Sequence, residues 1–107
     1  MFAIALDLDT NILQQSYTGP SWNNAYGDVK RVLLQYGFKR QQGSVYFGDS
    51  SVDAVRCVLA VQELTATFEW FEPAVNDIRM LRIEDNNDLM PAVEKAPHKT
   101  KANPNGG

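Results

Sequence analysis

The hydrophobic pattern of this chain switches from a period of two residues to one of about 3.6 and back, twice, between residues 2 and 84. That order restricts the fold more than any single motif does. Phe2, Ile4, Leu6 and Leu8 alternate with Ala3, Ala5 and Asp7, which predicts a strand over residues 2–8. Residues 10–24 contain Thr18, Gly19 and Pro20 and read as a loop. Trp22, Tyr26, Val29, Leu33 and Tyr36 then recur every three or four residues, predicting a helix over 21–36 with Ser21 or Asn23 as its cap. Gly37 supplies the left-handed stop. Residues 38–41 and 44–47 flank Gln42 and Gly43 and read as a tight hairpin. Ser50 and Asp53 have capping-box spacing and open a second helix over 52–68, whose stripe is Cys57, Val61, Leu64 and Phe68. A loop over 69–76 should fold Trp70 and Phe71 onto the core, and residues 77–84 form the last strand.

The order β-α-β-β-α-β predicts an α+β fold, the ferredoxin-like sandwich. Its four antiparallel strands lie in the spatial order fourth, first, third, second, with both helices on one face. Both parities of the first strand are apolar up to Asp7, so the face without helices is expected to meet a second copy, giving a homodimer. Residues 1–90 make one domain. Residues 91–107 hold three prolines and three lysines and read as a disordered basic tail.

Counting removes several functions. No apolar run approaches the length of a membrane span, about 20 residues, and residues 1–9 carry two aspartates and no basic flank, unlike a signal peptide. Cys57 and His98 are the only cysteine and histidine, so there is no disulfide framework, no cysteine zinc site and no two-histidine acid–base pair. A cytoplasmic location is expected. The net charge is −3. Residues 1–90 hold twelve acidic and seven basic side chains, so the domain is more acidic than the whole chain.

The strand order places the end of the first strand beside the starts of the third and fourth. Asp7, Ser44 and Asp77 should therefore converge, with Asp9 just beyond and Arg79 on the same face as Asp77. Two close carboxylates repel, which raises one pKa or invites a cation. One of them could act as general acid or base. Alternatively, Asp7 and Asp9 could hold a divalent metal such as Mg that activates water. Ser44 would orient a phosphate, and Arg79 would stabilise charge on it. The same residue types also serve turns and caps at strand ends.

One competing pattern is present. Asp7, Leu8, Asp9 and Thr10 after an apolar strand, with Gly48, Asp49 and Asp53 later, resemble two motifs of haloacid-dehalogenase-type phosphatases. The strand order expected here lacks the parallel sheet those enzymes need.

Five segments in order resemble virulence-associated protein D of bacteria. They are residues 1–9, the long polar loop, Asn23 to Tyr26, Gln42 to Tyr46 and Val75 to Arg79. That family is related to small CRISPR-associated ferredoxin-like endoribonucleases, which share an Asp ending the first strand and a Gln-x-Ser-Val-aromatic strand. The resemblance implies a ferredoxin-like homodimer that cleaves RNA, acting in some members as the toxin of a toxin–antitoxin pair with a protein antitoxin as partner. It places the catalytic roles on Asp7, Ser44 and Asp77. Lys39, Arg40 and Arg79 are the expected substrate-binding cations. An acidic body is a poor match for RNA unless its cations cluster. The alternative is therefore a non-catalytic dimeric module that binds nucleic acid or protein.

Overall fold

The computed structural model describes residues 1–99. Strand β1 (Phe2–Leu8) is followed by two helices, α1 (Thr10–Ser16) and α2 (Asn24–Gln35). The hairpin β2 (Phe38–Gln42) and β3 (Val45–Gly48) leads into α3 (Ala54–Thr67). Then come the short α4 (Phe71–Ala74), β4 (Val75–Arg82) and α5 (Met90–Lys95). The sheet order is β2-β3-β1-β4, and every neighbouring pair is antiparallel. This is the ferredoxin-like order. It also excludes the phosphatase reading, because no parallel pair exists among the described strands.

The core lies between the sheet and its helices. Ile4, Leu6 and Leu8 of β1 and Tyr46 of β3 point into it. They meet Ala25, Val29 and Leu33 of α2, and Cys57, Ala60 and Leu64 of α3. The buried stripe of α2 runs through Ala25 and Val32, and Tyr26 stays 38% exposed, because the helix is rotated relative to its aromatic spacing. Neither predicted cap bond forms at its start. Asn23 makes no side-chain cap bond, and the Ser21 and Trp22 carbonyls accept from the Asn24 and Ala25 amides instead. Gly37 ends the helix at φ 93°, and an added Cβ there would sit 3.0 Å from Val52. In α3 the cap is Asp53, whose carboxylate accepts from the Arg56 amide at 2.8 Å.

Two predicted loops contain helices. Asp9 caps α1 by accepting from the Asn11 and Ile12 amides, both at 3.0 Å. Leu13 is then fully buried, with α1 packed on α4. A seven-residue helix with one buried residue shows no periodicity, so only packing reveals it. Segment α4 carries Phe71 into the core, as expected, with Trp70 just before it. Trp70 stacks on Phe68 at 5.0 Å and tilts against Tyr17 at 5.4 Å. Strand β4 starts at Val75, two residues early, because its ladder runs the whole length of β1.

The expected disorder from residue 91 does not describe residues 91–95, which belong to α5, a helix with Pro91 in its first turn. Residues 100–107 of the predicted tail lie outside the described residues.

Truncating Leu64 to Ala should lower the unfolding free energy by about 2–5 kcal/mol, measured by urea denaturation. A second expectation concerns acid. Asp49 accepts from the hydroxyl and the amide of Ser51, and these bonds hold its carboxyl below the ordinary value. A depressed carboxyl adds stability above its unfolded pKa of about 3.9, and that contribution is lost as the pH falls through the lower folded value. Ser51→Ala should thus be less stable than wild type at pH 7, and the two should converge near the acid limit.

Candidate active site: the Asp7–Asp77 pair

Asp7 and Asp77 are direct partners in the β1–β4 ladder. Opposed residues in an antiparallel pair share a face, with Cβ atoms about 4.5–5.5 Å apart. The two carboxylates therefore lie side by side on the sheet face opposite the helices. Both are exposed. Arg79 stands opposite Ala5, two residues from Asp77 and on the same face. Its Nε donates to both carboxylate oxygens of Asp77 at 3.1 Å. The side chains are 71% and 52% exposed, so the pair behaves as a surface ion pair, worth about 0–1 kcal/mol. Its value is positional: it sets a guanidinium beside two carboxylates.

Asn76 was not visible as a site residue in the sequence. The β1–β4 register slips between Asp7 and Leu8, pairing Leu8 with Val75 and leaving Asn76 as an extra residue. Its Nδ2 donates to Asp7 Oδ2 at 3.1 Å. Strict alternation would send Asn76 to the face away from Asp77. The bulge re-aims it, and no sequence pattern encodes that bulge.

Ser44 does not complete the cluster. Strand β3 starts at Val45, whose partner Ala5 lies on the face of Asp7. Ser44 belongs to the hairpin turn, where its carbonyl accepts from the Leu6 amide at 3.1 Å. It lines a cleft on the helix side with Tyr26 and Lys30 of α2. The register opposes Ser44 to Leu6 and Val45 to Ala5, so alternation itself turns Ser44 to the helix side, away from Asp7. Lys39 and Arg40 lie on β2, the far edge of the sheet, opposite Phe47 and Tyr46. Arg40 Nε donates to the Gly43 carbonyl at 2.8 Å and braces the turn.

The metal reading fits poorly. Among the described residues no group of three or more Asp, Glu, His or Cys comes together. One oxygen of Asp9 is committed to the cap of α1, and both oxygens of Asp77 accept from Arg79. A divalent ion would find Asp7 with one engaged oxygen and a neighbour already facing a cation. Elsewhere in the domain, burial pushes the Cys57 thiol up, as expected for an inert core cysteine.

A ferredoxin-like sandwich with a carboxylate pair, a guanidinium and a bulge at the end of its first strand is the class of protein the geometry defines. Comparison with known proteins narrows it, although no family model matches the chain. The chain is 50% identical to endoribonuclease VapD 2 of Riemerella anatipestifer over 93 residues, which is 87% of this chain and 99% of that protein. It is 49% identical to an endoribonuclease VapD homolog of Helicobacter pylori over 94 residues, 88% of this chain and 97% of the other. Endoribonuclease VapD of Dichelobacter nodosus is 34% identical over 96 residues, 90% of this chain and all of the other. The chain belongs to the VapD family of endoribonucleases.

Like charges directly opposed across a ladder destabilise it by about 0.2–1 kcal/mol. Asp7→Asn keeps an oxygen for Asn76 and leaves the Arg79 pair intact. It should therefore raise the unfolding free energy by up to about 1 kcal/mol. Urea titration at pH 7 checks this, and a loss of stability would show that the pair is not in repulsion.

Proposed function

We propose that this protein is an endoribonuclease that cuts single-stranded RNA by intramolecular transesterification. The observation that carries the reading is the Asp7–Asp77 register pair, found in a chain whose relatives are named as endoribonucleases. Asp7 takes the proton of a ribose 2′-hydroxyl. The 2′-oxygen attacks the adjacent phosphorus, the bond from phosphorus to the 5′-oxygen breaks, and that oxygen leaves with a proton from solvent. The products are a 2′,3′-cyclic phosphate and a 5′-hydroxyl. Asp77 holds the Arg79 guanidinium beside Asp7, where it offsets the charge that builds on the phosphoryl oxygens. Ser44, on the helix side of the turn, contacts a neighbouring phosphate of the bound strand, and Lys39 and Arg40 guide that strand. The nucleophile comes from the substrate, so no step runs through a metal.

The protein works as a cytoplasmic homodimer. On the sheet face without the main helices Leu81 is 42% exposed and Ala5 and Val45 are part-buried, and Met90 and Val93 of α5 lie exposed beside Phe47; these apolar groups support self-association. No helix among the described residues is long and apolar enough to cross a membrane. An enzyme that cuts RNA inside its own cell needs restraint, and this supports a role as the toxin of a toxin–antitoxin pair with a protein antitoxin.

Purified protein should cut a labelled single-stranded RNA, leave the matching DNA intact, and keep cutting in EDTA. Asp7→Asn should lower the rate by at least about 100-fold, the usual worth of a general base, with an unchanged far-UV spectrum. Cleavage of DNA, or full activity in the variant, would overturn the mechanism.

A further inference from the structure

The domain is acidic, yet three of its cations gather in one place. Lys30 of α2, Arg40 of β2 and Ser44 of the turn line a cleft of about 460 Å³, walled by Tyr26, Gly27 and Tyr46. A second depression along the outer edge of β2 shares Lys30 and Arg40 and adds Lys39. No acidic side chain lines either one. Arg31, Arg79 and Arg82 each pair with a carboxylate. Among the described residues Lys30, Lys39 and Arg40 make no ion pair. Unneutralised like charges facing one groove repel each other, and an anion in that groove relieves the repulsion.

We infer that this cleft on the helix side, between α2 and the β2–β3 hairpin, together with the depression along the outer edge of β2 that carries Lys39, binds the phosphodiester backbone of single-stranded RNA and leads it around the hairpin turn to Asp7. The inference rests on the endoribonuclease reading and says where the substrate lies. The cleft opens at Gly27 and Gly43, where an added Cβ would touch nothing, so a chain of nucleotides can pass without a side chain in its path. Arg40 is anchored through Nε on the Gly43 carbonyl, which leaves its terminal N–H groups for phosphate oxygens. Tyr26 is partly exposed at the rim and presents an aromatic face on which a base can stack. The inner end of the cleft is Ser44, whose carbonyl bonds the Leu6 amide, one residue from Asp7. A strand held by Lys30, Lys39 and Arg40 therefore reaches the carboxylate pair by crossing one turn.

The test is RNA binding by full-length Asp7→Asn protein, which removes cleavage from the measurement. A fluorescent single-stranded RNA is titrated over a range of salt concentrations. The double variant Lys30→Gln, Lys39→Gln is compared with Arg82→Gln, which removes a cation on β4, at the opposite edge of the sheet from β2. Each phosphate contact contributes about −0.7 to the slope of log K against log salt for a single strand. The cleft variant should lose about 1.4 of that slope and bind at least tenfold more weakly at low salt. The control should keep the parental slope, and far-UV spectra should match throughout. An unchanged slope in the cleft variant, or equal losses in both variants, would overturn the cleft. Wild-type protein that binds through the cleft but leaves RNA uncut would sink the endoribonuclease reading and leave the cleft standing. Wild-type cleavage with an unchanged slope would do the reverse.

Discussion

The pairing of the first strand with the last is the contact on which everything else depends. From Phe2 opposite Arg82 to Leu8 opposite Val75, β1 and β4 form one ladder along the whole first strand. Met1 and Ile83 extend it by exchanging backbone hydrogen bonds at 2.7 and 3.1 Å. The ladder joins residues some seventy positions apart and fixes which side chains share a face. A shift of one residue would turn Asp77 to the helix side and bury a carboxylate in an apolar core. The register that keeps Leu6 and Leu8 inside is thus the one that sets Asp7 against Asp77 outside. Core packing enforces the site geometry.

The site tolerates its own repulsion because its neighbours answer it. Arg79 faces Asp77, and the bulged Asn76 donates to Asp7. Both partners come from β4 within three residues, so one strand supplies the second carboxylate, the cation and the hydrogen-bond donor. The arrangement is exposed, which suits a polymer substrate that must thread past it. Behind it, the aromatic cluster of Tyr17, Phe68, Trp70 and Phe71 packs α1 and α4 under the strand ends and holds the chain entering β4.

The charge distribution resolves an apparent conflict. A domain with more acidic than basic side chains should repel RNA. Several of its arginines are spent on local carboxylates, at Asp28, Asp77 and Glu84. Arg56 of α3 is held by the Tyr36 carbonyl, and the other cations left over in the domain, Lys30, Lys39 and Arg40, collect on α2 and β2. Net charge describes solubility and long-range steering, whereas the local groove describes binding.

The sequence alone determined the sheet and its strand order, because the switches of period survive any rearrangement of loops. It also put Asp7 beside Asp77, since antiparallel topology dictates which strand ends meet. The family resemblance rested on the same segments. Helices α1 and α4 were illegible, since each is shorter than the stretch in which periodicity can appear, and Leu13 and Phe71 are held by tertiary contacts. Ser44 faces the helix side because the β1–β3 register sets it opposite Leu6 and not Asp7, and a register is fixed only when the strands pack. Asn76 entered the site through a bulge, Asp9 was taken up as a helix cap, and Lys30 met Arg40 and Lys39 only once α2 lay across the hairpin. Local pattern records what each segment buries. Which remote polar groups then face one another depends on register, bulges and helix rotation, and those are set by packing between segments.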